Sequence, residues 1–342
     1  MTLPGHMQEP RTTQDFSEIR ARISARLGQA TANAPEALRE ISAAHLATEG
    51  KRLRGEMAFQ AATLFGAHFD RAITWAAAVE LIHSASLVHD DVCDRDIERR
   101  GQETVFSLYG EALAVCLGDY YIATAVRMSA LLGDQAALQL CDCVARSTGG
   151  QALEFTIAGY PSWGRYCEIA VEKTSPLLSL PVTGAAGFTN HSVDRKSVEA
   201  YFANAATCFQ IINDLDNFFG SQGLAAPCSD LAFCRPNAVI SSFRDSLQAP
   251  QQSRFDQWSE QTRAARQSCG PTGILEWWQS IRQSPALAHT VQRLLFHFNT
   301  ANSELNRLTP EVQCVLSKFH GWLDSELEKV NASALIRKEL NS

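Results

Sequence analysis

From Gln14 onward, apolar positions recur at three- and four-residue spacing through most of the chain, and little strand-like alternation of β-branched residues appears. That periodicity predicts helices over residues 15–28, 35–47, 55–65, 71–93, 110–131, 135–159 and 166–186. It predicts further helices over 193–219, 237–246, 253–269, 274–283, 286–302 and 310–328. Pro35 stands at a first turn, and Asp70, Asp134, Ser192, Ser284 and Thr309 stand where N-caps belong. Residues 74–88 and 200–212 are apolar nearly all round, which requires burial among other helices. Residues 1–13 read as a disordered leader, and 221–237, rich in Gly, Pro, Ser and Cys, as the least ordered internal stretch. No repeat of solenoid period and no break in composition marks a second domain. The expectation is an all-α protein, a single large helical bundle over 14–342.

Composition narrows the function class. At 342 residues, with 45% hydrophobic and 20% charged residues, the chain has the make-up of a globular protein with a substantial core. A net charge of −7 without a basic block argues against nucleic acid as partner. The ten cysteines are scattered without a CxxC pair, and no apolar run approaches the roughly 20 residues of a membrane span. Reduced thiols in a cytoplasmic protein are the expectation.

The candidate chemistry starts at the end of the 71–93 helix. Asp90 and Asp94 share a helix face with Asp91 beside them, an arrangement of like charges that favours a cation between them. Hard oxygen donors with no Cys or His completing a soft set suit Mg²⁺, which keeps coordination positions open for phosphate oxygens. A solvated acidic helix end has the same sequence, so the motif alone does not decide. Lys51, Arg52 and Arg54 between Gly50 and Gly55 put three cations near a helix start, and Arg99 and Arg100 follow the aspartates.

Together these residues resemble the trans-isoprenyl diphosphate synthase (polyprenyl synthetase) family. The resemblance rests on Gly50, Lys51, Arg52, Leu53 and Arg54, on the run from Glu80 through Ser86 to Asp94, and on Arg99, Arg100 and Gly101. Downstream, Gly118 with Asp119, Gly150 with Gln151 and Glu154, Lys173 with Thr174, and Phe209 through Asn217 fall in the family's order. The resemblance covers about residues 20–246. It implies an isoprenoid-synthase-like bundle around a deep central cavity, joining isopentenyl diphosphate to an allylic diphosphate with two to three Mg²⁺ ions. It implies that Asp90, Asp91 and Asp94, with Asp214, Asn213 and Asn217, ligate metal. Arg99 and Lys173 would contact the allylic diphosphate, Lys51, Arg54, His83 and Arg100 the isopentenyl diphosphate, and Gln210 the allylic chain. Lys173, Gln210 and Arg99 are the implied catalytic residues. Ala85, Ser86 and Tyr121 are the chain-length candidates, a C20 product is favoured, and a homodimer is implied.

The chain departs from the family at its second aspartate-rich motif. Asn213 and Asn217 replace two acids, and Asp216 lies about 100° away around the helix from the face of 213, 214 and 217. Ser221, Gln222 and Gly223 replace the family's following lysine, and Arg235, Pro236 and Asn237 its later Lys-x-Thr. Three functions follow: an elongating synthase with a weakened second metal site, a derived class I terpene cyclase or a transferase to another acceptor, and a non-catalytic subunit of a heteromeric synthase. His89, Asp119, Trp277, Trp278 and Trp322 read as structural residues. Asp96 and Glu98 read as solvated or ion-paired.

Overall fold

The computed structural model describes residues 16–340 except 49, 51, 100, 221–227 and 266–272; side chains are described as far as 330, that of 265 excepted. Lys51, Arg100, Ser221, Gln222, Gly223 and the leader lie outside the described residues. The chain divides into two compact units, one ending at Ala137 and the other beginning at Leu138.

The first unit is built on α4 (Phe69–Asp94). Its apolar run explains its place: Ala72 through Ile82 are all buried, and α1 (Phe16–Thr31), α3 (Leu53–Leu64) and α6 (Glu111–Ala130) pack around it. α2 (Glu36–Ala47) lies against α1 and α6. The crossing of α4 and α6 depends on Gly118, because a Cβ there would come within 2.1 Å of His89 Nε2. That ring nitrogen lies 3.3 Å from the Val115 carbonyl and 3.6 Å from Asp119 Oδ1, which supports the structural reading of both His89 and Asp119. α4 ends at Arg95 in the left-handed region (φ 56°), with the Asp96 N–H returning to the Asp91 carbonyl at 3.0 Å. A short hairpin follows, β1 (Glu98–Arg99) and β2 (Gln102–Glu103), antiparallel with Arg99 opposite Gln102. Gly101 takes the positive φ (77°) that its tight connection requires. The hairpin and α5 (Val105–Tyr109), capped by Thr104, were not expected from periodicity; both are too short to carry a period.

In the second unit, α9 (Arg195–Phe219) is the central helix, packed on α8 (Trp163–Thr189) and α14 (Ala286–Leu305). α7 (Asp134–Thr156) reaches α8 at Gly150, where a Cβ would come within 2.3 Å of the Lys173 backbone nitrogen. α8 runs unbroken through Pro176 and Pro181. α10 (Ser229–Ala232) and α11 (Ala238–Ser246) lie within and beyond the stretch expected to be irregular. α12 (Ala249–Ala265), α13 (Ile274–Gln283) and α15 (Pro310–Leu340) complete the unit. Trp278 packs on Phe218 with centroids 4.9 Å apart, Trp277 on Phe255 at 5.0 Å and Trp322 on Phe209 at 5.5 Å, so the tryptophans serve packing.

Four expected caps are displaced: α7 begins at Asp134 itself, and Pro285 rather than Ser284 stands at the cap of α14, although Ser284 Oγ still accepts from the Ala286 N–H at 3.2 Å. α9 is capped by Asp194 rather than Ser192, its Oδ1 accepting from the Lys196 and Ser197 N–H groups at 3.1 and 3.4 Å. α4 starts two residues earlier than Asp70 allows as a cap, with His68 in that place and Asp70 in the first turn, where an acid favours the helix dipole. Among the described residues the all-α expectation holds, with the two-residue strands as the exception.

Candidate active site

The candidate residues fall into two groups, one in each unit. In the first, the three aspartates of α4 do not act alike. Asp91 is 4% exposed, and its Oδ1 accepts from Arg99 Nε at 2.7 Å. Burial pushes the Asp91 carboxyl above the ordinary carboxylate range, and the Arg99 charge and hydrogen bond oppose that rise. Arg99 is held by the hairpin and also lies 3.9 Å from Asp96, which is therefore ion-paired as expected. Asp90 and Asp94, half-buried, keep the i,i+4 relation on the last turns of α4. Among the described residues no three His, Cys, Asp or Glu side chains converge as a metal set. Of the three expected carboxylates, Asp91 is the one engaged with Arg99. Two carboxylates still match the usual protein share of a Mg²⁺ site, where water and phosphate fill the remaining positions.

About three α4 turns earlier, a buried acid organises the cationic segment. Glu80 Oε1 accepts from the Gly55 N–H at 2.6 Å, and its Oε2 lies 3.9 Å from Arg52 Nη1. Burial raises the Glu80 pKa, while the Gly55 N–H and Arg52 pull it down. Arg52 takes a left-handed conformation (φ 44°) and donates to the Leu46 carbonyl at 3.2 Å. Arg54 Nη1 lies 3.3 Å from His83 Nε2, so two of the residues expected at the isopentenyl diphosphate are neighbours. Because the guanidinium can only donate, Nε2 is the accepting nitrogen in that contact.

The chain-length candidates separate. Ala85 is buried, and Ser86 is half-buried with its hydroxyl donating to the His83 carbonyl at 2.9 Å. Tyr121 is fully buried and faces α2, its hydroxyl 3.4 Å from the Ser42 carbonyl and 3.3 Å from His45 Nδ1. Burial raises the Tyr121 pKa and lowers that of His45 to about 4.

In the second unit, Lys173 Nζ pairs with Glu154 Oε2 at 2.7 Å, and the Gly150 contact fixes the backbone between them. Both polar atoms of the Gln151 amide are buried with no hydrogen-bond partner among the described residues. Gln210 Nε2 donates to Asp214 Oδ1 at 2.8 Å. Asp214 Oδ2 accepts from the Tyr166 hydroxyl at 2.7 Å and from the Ala238 N–H at 2.8 Å. Burial and then the Asp230 charge push the Asp214 carboxyl well above its ordinary range, with those donors opposing. Asn217 Oδ1 accepts from the Asp230 N–H at 3.3 Å, and its Nδ2 donates to Ser229 Oγ at 2.6 Å. Asn213 is exposed; Asp216 is raised in pKa by burial and by Glu326, which puts it on the α15 side, away from its neighbours. The three side chains of the second motif thus lie in different settings: one is exposed, one is buried in a network and one is bonded to the start of α10.

Glu80, Tyr166 and Asn237 were not assigned from sequence. An acid inside an apolar helix run is the available signal for Glu80, since a buried carboxylate must find partners. Tyr166 gave no signal.

Solved structures similar in shape define an all-α isoprenoid-synthase fold. A decaprenyl diphosphate synthase from Rhodobacter capsulatus superposes with a TM-score of 0.77 at 22% identity, over 92% of this chain and 97% of that one. A Caulobacter crescentus polyprenyl synthase, solved with calcium and isoprenyl diphosphate, gives 0.74 at 22% identity over 93% and 99%. The profile of the polyprenyl synthetase family matches residues 35–269, and the chain belongs to that family. The short chain isoprenyl diphosphate synthase of Methanocaldococcus jannaschii is 30% identical over 187 residues, 51% of this chain and 55% of that protein. The geranylgeranyl diphosphate synthase of Mycobacterium tuberculosis is 31% identical over 192 residues, 52% and 53% respectively. The octaprenyl diphosphate synthase of Escherichia coli is 29% identical over 210 residues, 60% and 63%. In sequence, the chain thus spans about half to three-fifths of these curated relatives.

Proposed function

We propose that this protein is a Mg²⁺-dependent prenyltransferase that condenses isopentenyl diphosphate with an allylic diphosphate such as geranyl or farnesyl diphosphate. The observation that carries the reading is the Glu80 frame: a buried carboxylate holds the backbone at Gly55 while Arg54 meets His83. An acid buried in an apolar helix is costly unless partnered, and here its partners belong to the cationic turn expected to bind an anion.

In this reading Arg54 and His83, with Lys51 and Arg100, hold the isopentenyl diphosphate. Arg99 and Lys173 bind the allylic diphosphate, exchanging their carboxylate partners Asp91 and Glu154 for phosphate oxygens. Asp90 and Asp94 would hold Mg²⁺, which neutralises charge on the departing diphosphate. Lys173 supports that departure with its ammonium charge. Gln210 orients the allylic chain, and apolar walls exclude the water that would compete with the isopentenyl double bond. Proton loss to pyrophosphate closes the cycle. Small side chains at Ala85 and Ser86 favour a C20 product, while the Tyr121 hydroxyl is engaged with α2. A cytoplasmic homodimer is the proposed context, consistent with free thiols on the described cysteines and no helix long and apolar enough to cross a membrane among the described residues.

Terpene cyclisation is the weaker reading, because the Asn217 amide oxygen needed as a metal ligand already accepts from Asp230. The test is incubation with Mg²⁺ and geranyl or farnesyl diphosphate, with and without labelled isopentenyl diphosphate. Elongation gives a longer labelled diphosphate only when isopentenyl diphosphate is present. Hydrocarbon or alcohol formed without it would refute elongation, and turnover only on adding a second subunit would mark a non-catalytic partner.

A further inference from the structure

We infer that Asp214 is a positioning residue, a buried acceptor that fixes Gln210 and the start of α11, and that it does not ligate metal. This deepens the proposed function, since it rests on Gln210 lying at the allylic chain. Asp214 is 3% exposed. Three donors converge on it: Gln210 Nε2 at 2.8 Å on Oδ1, the Tyr166 hydroxyl at 2.7 Å and the Ala238 N–H at 2.8 Å on Oδ2.

Each donor has a separate reason to be there. Gln210 stands four residues earlier on α9, one turn away, so its amide reaches the carboxylate along the same helix face. Tyr166 is fully buried on α8 and needs an acceptor for its hydroxyl. Ala238 is the first residue of α11, whose opening N–H groups have no partner within the helix. Asn237 adds a second tie: its Nδ2 donates to the Asp214 carbonyl at 3.0 Å and to Asp230 Oδ2 at 2.9 Å, while its Oδ1 caps Val239 at 2.9 Å.

A Mg²⁺ ligand must bring its oxygen to about 2.0–2.1 Å from the ion. Asp214 is buried, so meeting an ion in a solvated site would mean swinging the carboxylate outward, and each of the Ala238 N–H and Tyr166 hydroxyl left behind unsatisfied would cost about 1–3 kcal/mol. The neighbouring motif positions offer no compensating set. Asn213 is exposed and Asn217 is engaged with α10. The first motif shows the same division, with Asp91 given to Arg99. In both motifs the second acid fixes its neighbours.

The test uses the full chain with four variants: Asp214→Asn, Tyr166→Phe, Gln210→Ala and Asp90→Ala. Three readouts need no turnover: thermal unfolding, Mg²⁺ titration with inorganic pyrophosphate by calorimetry, and affinity for farnesyl thiodiphosphate measured well below the melting temperature. Tyr166→Phe should lower Tm by about 2–5 °C and weaken the thiodiphosphate several-fold, as Gln210→Ala does, with affinity for isopentenyl diphosphate unchanged. Asp214→Asn should lower Tm further. Both should leave the Mg²⁺ half-saturation within about twofold of wild type, whereas Asp90→Ala should raise it at least about tenfold. A tenfold rise in Mg²⁺ half-saturation in Asp214→Asn at unchanged Tm would overturn the inference. So would an unaltered thiodiphosphate affinity in Tyr166→Phe, which keeps the carboxylate and tests the point even if Asp214→Asn fails to fold. Failure of wild type to elongate would count against the proposed function alone, because these binding and melting readouts are independent of it.

Discussion

The Gly55 N–H donates to Glu80 Oε1 at 2.6 Å, joining the first turn of α3 to the middle of α4. A Cβ at residue 55 would stand 2.7 Å from Glu80 Cγ, so the contact needs glycine. The bond sets the backbone that carries Arg52 and Arg54, one residue to either side of Leu53. Glu80→Gln keeps an acceptor for Gly55 but removes the charge near buried Arg52. It should raise KM for isopentenyl diphosphate about tenfold, equivalent to about 1.4 kcal/mol, with KM for the allylic substrate within twofold. Gly55→Ala should move the same constant in the same direction. Equal effects on both KM values would mean that Glu80 serves general stability.

The two aspartates of the α4 pair should behave differently from the third. Asp90→Ala and Asp94→Ala should each lower kcat by at least about 10³-fold, the scale set by losing electrostatic support for a departing anion. Asp91→Asn keeps an acceptor for Arg99 and should cost about tenfold less than either. Steady-state kinetics at saturating Mg²⁺ settles the order, and an Asp91→Asn loss equal to that of Asp90→Ala would make all three acids direct ligands.

The crossing of α4 and α6 offers a steric test. Gly118→Ala sets a methyl against the His89 ring, 2.1 Å from Nε2. Overpacking of this kind costs about 1–3 kcal/mol, read as a fall in the denaturant midpoint. Adding His89→Ala should recover much of that loss. If the double variant is no more stable than Gly118→Ala alone, the glycine is needed for another reason.

His45 gives a pH dependence with a defined sign. Burial lowers its pKa to about 4, so the folded chain holds it neutral while the unfolded chain protonates it near 6.5. The stability from the neutral ring is complete above about pH 6.5 and is lost as pH falls toward 4. Partial exposure limits it to about 1–3 kcal/mol. Melting curves between pH 7 and 4 should fall more steeply for wild type than for His45→Gln; parallel curves would exclude this contribution.

The proposed function puts control of product length at Ala85 rather than at Tyr121. Ala85→Phe should shorten the main product to C15 if that position floors the allylic pocket. Tyr121→Phe removes only the hydroxyl facing Ser42 and His45, and should leave product length unchanged while costing about 1 kcal/mol of stability. Chromatography of dephosphorylated products distinguishes the two.

Much of this architecture is legible in the sequence because long helices carry long periods. The nearly all-round apolar runs of α4 and α9 announced two central helices, and each is the most heavily packed of its unit. The order of the glycine, lysine, arginine and aspartate positions carried the family. Sequence spacing is silent on which way a side chain turns once it is on a helix. Asp91 and Asp214 each follow an acid or amide that stays at least partly exposed, yet both are buried by partners brought from other elements: Arg99 from a two-residue strand, Tyr166 from α8 and Ala238 from α11. The surroundings of Tyr121 were hidden for the same reason, its hydroxyl lying near Ser42 and His45 of α2. Such tertiary choices leave no periodic trace.

The most direct test of the central claim is a single assay on the purified protein with Mg²⁺, farnesyl diphosphate and labelled isopentenyl diphosphate. The account predicts a labelled C20 prenyl diphosphate, formed only with both substrates and abolished by Asp90→Ala. Release of pyrophosphate with a hydrocarbon or alcohol product, at the same rate with or without isopentenyl diphosphate, would contradict it.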